Sequence, residues 1–351
     1  MSEDSTSFDP QNNNYLLGHK EIEDLFLRCW QENSLHNSWI ISGVKGVGKA
    51  TFAYKLARFI LSADENKKEQ YTSLDVSPSS QVFRLVVGNS HPDLKVLQRD
   101  YTDTDRKKIL KAIKEGDSLS SDELKELKKS AYIRVDDVRT INEFLSRRSS
   151  GDGWRVVIVD SIDDMNSAAA NAILKILEEP PYKVLMLLIS HNPNRLLPTI
   201  KSRCAKIEMK PLAINDVSSL LRRYRSDLSE KDIKRIALIS SGSIGKALMY
   251  ADNNAADLYD DLCGIAASGA NYKVADVINF CNMAATNEES YALAQELILK
   301  FLSEHAKNAS NVAEIAECWS NAIKVFAETE SLNMDKKQAL MNIIVNLCKQ
   351  I

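Results

Sequence analysis

Residues 43–49, Gly-Val-Lys-Gly-Val-Gly-Lys, carry the composition of a phosphate-binding loop. Glycines let successive backbone N–H groups turn inward around phosphate oxygens, and a lysine adds a cation for the terminal phosphates. The helical pattern that follows, ATFAYKLARFIL over 50–61, would add the positive end of its dipole. Gly43, Gly46, Gly48 and Lys49 are therefore candidate ligands for the phosphates of ATP or ADP. The next residue is Ala50, where such loops place the Ser or Thr hydroxyl that holds Mg²⁺. Thr51 offers a hydroxyl one position too late. A second candidate is Asp160, the acid that ends the apolar run VVIV over 156–159. An acid at the C-terminal end of a strand is placed to hold Mg²⁺ beside bound phosphates, directly or through water. The alternative, an acid capping the following turn, is the weaker reading and loses further ground beside the glycine loop. Ser161 comes next, where hydrolysis calls for a carboxylate to activate water. The pattern predicts weak nucleotide binding without turnover.

Short apolar runs supply the strands that must carry these groups. Residues 38–42 (SWIIS), 94–97, 156–159 and 184–189 (VLMLLI) are each continuously apolar or nearly so, as strands buried on both faces of a parallel sheet are. Helical patterns fall between them. The clearest covers 166–179, with Asn166 as cap, Ala169, Ala172, Ile173, Ile176 and Leu177 at helical spacing, and Pro180–Pro181 as stop. The alternation predicts a doubly wound α/β domain over 15–210, preceded by a frayed polar tail over 1–14. After Pro211 the strand signals cease. Helices are expected over 215–229, 231–240 and 243–250, forming a small unit over 211–258, and residues 259–351 read as an all-helical domain.

A length of 351 residues fits two or three domains, and 44% hydrophobic with 26% charged content excludes wholesale disorder. The 45 basic and 48 acidic residues leave a net charge of −3, so nucleic-acid contact would need a local basic surface or partner chains. The mixed charges of 100–130 fit a solvated helical insertion better than a DNA patch. No apolar run approaches the ~20 residues of a membrane span, and the N-terminus lacks a signal-peptide layout. Six scattered cysteines without a CxxC pair suit reduced thiols, and a cytoplasmic location is expected.

In chain order, GVKGVGKATFA, HPDL (91–94), VDDVR (135–139), WRVVIVDSIDDMNSAAANAILKILEEPP (154–181) and TIKSRC (199–204) resemble the AAA+ clamp-loader subunits of bacterial DNA polymerase III. The resemblance covers about 15–250, and ANAILKILEEPP and Ser202-Arg203-Cys204 are its most specific parts. It implies an AAA+ phosphate-loop core with a parallel sheet, a three-helix lid over 211–258 and a helical collar over 259–351 that joins subunits in a heteropentamer. It further implies that Arg203 acts in trans, reaching ATP held by the next subunit. A permanently charged, forked guanidinium suits the charge of a transferring phosphoryl group. Asn192 follows the fourth strand, where the family places a nucleotide sensor; a phosphate contact and a turn role before Pro193 both fit. Cys204 reads as a packed small hydrophobe.

Three departures stand out from the hydrolysing members: Ala50, Ser161, and Gly245 where relatives carry a lid arginine. Residues 30–203 contain no cysteine, so the family's four-cysteine zinc module is not expected, nor any zinc. The implied function is a non-hydrolysing clamp-loader subunit, acting with its partner subunits on a sliding clamp and primer-template DNA. An active motor subunit would need a hydroxyl at 50 and an acid at 161. A stand-alone nucleotide kinase would need clustered substrate-lid arginines inside one domain.

Overall fold

Apolar runs without polar interruption can be buried only between two layers, and here they form the centre of a five-stranded parallel sheet. In the computed structural model, which describes residues 9–115, 127–147, 149, 153–307 and 312–350, the strands are β1 (Ser38–Gly43), β2 (Leu94–Gln98), β3 (Arg155–Asp160), β4 (Val184–Ser190) and β5 (Ala205–Met209). Their spatial order is β2-β3-β4-β1-β5. Val157, Val159, Met186 and Leu188 share one core with Val138 and Ile141 of the helix Val135–Ser146 and Ile173 and Leu177 of the helix Ser167–Glu178. Residues of opposite parity, such as Val156, Ile158, Leu185 and Leu187, are equally buried. The helix Lys49–Ser62 packs on β1, β3 and β4 and is buried on nearly every side from Lys49 to Ile60.

The fifth strand was not expected from the sequence. Its burial alternates, with Ile207 and Met209 inward and Lys206 and Glu208 outward, as on a sheet edge. A five-residue stretch with two charges carries no continuous apolar run to betray it. The register sets Gly43 opposite Met209, Ser42 opposite Ser190 and Asp160 opposite Ile189. One sheet edge therefore gathers the C-terminal ends of the strands, where open α/β sheets bind ligands.

Charged groups fix the elements that flank the phosphate loop. Lys55, 7% exposed at its side chain, sits between Glu23 of the helix Lys20–Gln31 at 2.7 Å and Asp75 at 2.9 Å. Arg58, 1% exposed, donates to the carbonyls of Gln11 (2.9 Å) and Asn13 (2.8 Å) and lies 4.7 Å over the Phe83 ring. Burial pushes its pKa down to about 10. The described part of the N-terminal segment, 9–14, is thus tied to the helix Lys49–Ser62; residues 1–8 lie outside the described residues. Of the charged insertion, the helix Asp103–Glu115 is described and 116–126 are not.

Beyond β5 the described elements are helices. The 211–258 stretch holds Ile214–Tyr224, Glu230–Ile239 and Ile244–Asp252. Two compact units divide the chain: Met1–Leu220 with Ser241–Gly245, and Leu221–Ser240 with Lys246–Ile351. Those three helices are shared between the two units. Within the second unit, Ala255–Ala267, Val274–Ala284, Glu288–Ala306, Val312–Ser331 and Lys336–Gln350 bury Leu262, Leu297, Leu302 and Ile344. Arg235 there pairs with Asp232, Asp257 and Asp260. No described helix is long and apolar enough to cross a membrane. The six cysteines are free thiols, four of them buried.

Removing Glu23 takes away the buried partner of Lys55 and leaves it only Asp75, whose side chain is 65% exposed. Glu23→Ala should cost about 1–3 kcal/mol, read as a lowered melting temperature. The double variant Glu23→Leu/Lys55→Met should recover most of it, since an apolar pair of similar volume needs no desolvation.

Candidate functional site

The loop between β1 and the helix Lys49–Ser62 has the backbone its glycines permit. Gly43 has φ 146° and lies so close to β5 that a Cβ would stand 2.4 Å from the Met209 carbonyl oxygen. Gly46 has φ 80°, and a Cβ there would meet Ser243 Oγ at 2.5 Å. Gly48 is the N-cap of the helix. Lys49 is 3% exposed and turns back on its own loop, with Nζ donating to the carbonyls of Gly43 (2.7 Å) and Val44 (2.8 Å). Burial pushes its pKa down to about 8, against the opposing fields of Asp160 and Asp163. Ala50 and Thr51 lie in the first turn, Thr51 buried, and position 50 has no hydroxyl to offer a metal.

A strand of backbone from the 241–245 stretch closes the outer side of this loop. Ser243 Oγ donates to Lys45 O at 2.8 Å, and the Gly245 N–H donates to Gly46 O at 2.9 Å. Leu212 N–H donates to Gly242 O at 2.9 Å and fixes the approach. A Cβ on Gly245 would stand 2.8 Å from Gly46 Cα. The position where hydrolysing relatives are expected to carry a lid arginine is thus occupied by a backbone-to-backbone contact.

Asp160 ends β3, and burial raises its pKa while Lys49 pulls it down. The centre of this end of the sheet is another acid, Asp163. Its carboxylate accepts from Ser161 Oγ (3.1 Å), Ser190 Oγ (2.9 Å), His191 N–H (2.5 Å) and Asn192 N–H (3.2 Å). Ser161 is therefore engaged as a donor to Asp163. Asn192 is exposed, and its side chain makes no capping bond to the short turn Pro193–Arg195. Burial lowers the pKa of neighbouring His191. Sequence reasoning gave Asp163 no role. The only signal was an acid three places after Asp160; apart from Ser161, its partners are 27–29 residues away.

Arg203 lies elsewhere. It occupies the turn between the short helix Pro198–Lys201 and β5, at the N-terminal edge of the sheet. Its Nη2 is 2.7 Å from Glu178 Oε1, and Nη1 donates to Thr199 O (2.9 Å) and Ser202 Oγ (3.3 Å). A cavity of about 440 Å³ adjoins it, lined by His36, Asn37, Ser38, Leu177, Glu178 and Pro180. The length of β1 separates this edge from the glycine loop, roughly 17 Å at ~3.3 Å per residue. Cys204 is buried, and burial pushes its thiol up to about 11, which suits packing rather than nucleophilic chemistry.

The residues present fit a phosphate group: a glycine loop at a helix N-terminus with a lysine beside it. They do not fit the Mg²⁺ chemistry of hydrolysis, which needs a hydroxyl at 50 and a base at 161. Among the described residues no cluster of three or more His, Cys, Asp or Glu is gathered for a metal.

The family model described as DNA polymerase III, delta subunit matches residues 18–213. The DNA polymerase III subunit delta' of Pseudomonas aeruginosa is 32% identical over 209 residues, 59% of this chain and 53% of that protein. Subunit delta' of Escherichia coli K12 is 24% identical over 323 residues, 92% of this chain and 85% of that protein. Subunit gamma of Buchnera aphidicola is 23% identical over 243 residues, 68% of this chain and 57% of that protein. The chain thus spans a little over half the length of the Pseudomonas and Buchnera relatives. Among solved structures, a DNA polymerase III gamma subunit-related protein of Thermotoga maritima aligns with 93% of this chain and 99% of its own, with TM-score 0.46 and 18% identity.

Two variants probe the loop. Lys49 has an ordinary pKa of 10.5, lowered to about 8 in the fold, so the unfolded chain binds more protons between those values. Its contribution to stability therefore rises as pH rises from about 8 to 10.5, and is lost as pH falls through 8. Lys49→Met cannot titrate. The wild-type stability minus that of the variant, from urea unfolding at fixed ionic strength, should grow across this window; a flat difference would mean that Lys49 titrates normally. Gly245→Arg should lower stability by about 1–3 kcal/mol, because its Cβ must displace the Gly46 backbone. A melting temperature unchanged by that substitution would show that the contact yields freely.

Proposed function

The chain belongs to the DNA polymerase III delta-subunit family, and from that membership we propose that it is a non-hydrolysing subunit of the replicative clamp loader that lends Arg203 to ATP held by a neighbouring subunit. The observation that carries this reading is the separation of Arg203 from Lys49 by the length of β1. A guanidinium at the N-terminal edge of the sheet cannot serve phosphates at the C-terminal edge of the same sheet. It is free to meet a ligand that comes to its own edge, which is what a site on a neighbouring chain would bring.

The cis site supports the same reading from the other side. Lys49 is engaged by Gly43 and Val44, Ala50 lacks the metal hydroxyl, Ser161 is bound to Asp163, and Gly245 is packed on Gly46. ATP or ADP is held weakly, through the backbone N–H groups of the loop and a Lys49 that must first leave its carbonyls. In the heteropentamer the helices beyond residue 259 form the collar, and the ring acts on a sliding clamp and primer-template DNA. An active motor subunit is disfavoured by the side chains at 50 and 161.

The chemistry in trans follows from charge. Phosphoryl transfer spreads negative charge over the transferring oxygens, and a planar fork of N–H donors stabilises it in the transition state. The test is reconstitution of the ring with Arg203 variants. The isolated chain should show no ATPase above background. Arg203→Ala should leave assembly intact and slow the chemical step at the neighbouring site on the order of 10³–10⁵-fold. Arg203→Lys should rescue little, because an ammonium lacks the fork. Normal hydrolysis in the Arg203→Ala ring would leave Arg203 a structural residue and defeat the reading.

A further inference from the structure

An arginine that must meet a phosphate in a fixed geometry has four rotatable bonds to restrain, and Arg203 is restrained by a residue outside the SRC motif. Resting on the trans role of Arg203, we propose that Glu178 is the positioning residue for its guanidinium. Glu178 Oε1 is 2.7 Å from Nη2, while Thr199 O and Ser202 Oγ hold Nη1. The group is thus gripped at both terminal nitrogens from two different elements.

Glu178 has no reason to stand where it does for the sake of its own helix. It is the last residue of Ser167–Glu178, followed by Glu179, and acids at a helix C-terminus are disfavoured by the helix dipole. Lys175 in the last turn and Arg203 both offset the penalty, and Arg203 is the one 2.7 Å from the Glu178 carboxylate. The carboxylate is also held on a rigid support. Ile173, Ile176 and Leu177 bury the helix in the core, and Pro180 and Pro181 end it. Arg203 is similarly anchored at its backbone, since its N–H donates to Ile200 O at 3.1 Å and Cys204 beside it is buried. Both partners therefore approach each other from fixed main chains, which is what a preorganised site requires.

The pair is half-exposed, with side-chain accessibilities of 34% for Arg203 and 48% for Glu178. Exposed ion pairs add little to stability, so the value of this one lies in orientation. Neutralising Glu178 should misplace the guanidinium without unfolding anything. Misplacement of a catalytic group by about 1 Å costs up to 10²-fold in rate.

The experiment uses the reconstituted ring in which only the site facing Arg203 can hydrolyse ATP, the other motor sites being silenced at their loop lysines. Glu178→Gln should lower kcat at that site by roughly 10- to 100-fold, leave the KM for ATP and the melting temperature unchanged, and have no further effect in an Arg203→Ala background. If Arg203→Ala slows hydrolysis but Glu178→Gln leaves it unchanged or speeds it, the positioning role is overturned and the finger stands. If Glu178→Gln slows both backgrounds equally, it acts independently of Arg203, and the positioning role is again overturned. If Arg203→Ala itself changes nothing, the trans reading fails, and this inference fails with it.

Discussion

A buried ammonium must be partnered, and Lys49 takes its partners from the loop that precedes it. The bonds from Nζ to Gly43 O and Val44 O fold the side chain back over its own loop. The neighbouring backbone can then close on that loop where its glycines leave room. Met209 O can approach Gly43 because there is no Cβ in between, and Gly245 can lie on Gly46 for the same reason. The carbonyls of Lys45 and Gly46, turned outward, are satisfied by Ser243 and Gly245. The same bonds tie the C-terminal end of β1 to the first turn of the helix Lys49–Ser62.

The parallel sheet separates two chemistries by construction. All five strands run the same way, so the loop, Asp160 and Asp163 gather at the C-terminal edge while Arg203 and Glu178 gather at the other. The two edges differ in how their charges are held. At the loop edge, Lys49 is buried and Asp163 accepts from four donors. At the other, the Arg203–Glu178 pair is half-exposed beside a cavity of about 440 Å³. Polar groups bound to internal partners hold a fold together, whereas an accessible guanidinium beside open space can meet a ligand from outside.

Sequence reading recovered what depends on local pattern. The three central strands declared themselves through apolar runs, the edge strand β2 through the shorter run 94–97, and the loop through glycine spacing at a strand-to-helix junction. β5 escaped because an edge strand of five residues alternates and carries Lys206 and Glu208. The site contacts escaped for a different reason. Ser243 meets Lys45 across 198 residues, Asp163 meets His191 across 28, and Arg203 meets Glu178 across a helix end and a strand. Spacing along the chain cannot reveal such pairs; only the strand order brings them together. Arg58 belongs to the same class, since nothing local marks a buried arginine whose partners are backbone carbonyls of 11 and 13.

These contacts also give the glycine–lysine loop a structural basis that does not depend on any ligand. Gly43 and Gly46 are required by Met209 and by Ser243 with Gly245, whether or not a phosphate ever enters the loop. Lys49 is required by the carbonyls it caps. Gly43, Gly46 and Lys49 thus each have a structural partner that would suffer from their replacement. Positions 50 and 161 are the complement: Ala50 has no hydroxyl, and Ser161 donates its hydroxyl to Asp163. A glycine–lysine loop therefore reports a shape, and the residues at 50, 161 and 245 report the chemistry. On the proposed reading, the loop keeps the shape of a nucleotide site at one edge of the sheet, and the guanidinium that would act on a neighbour's nucleotide stands at the other.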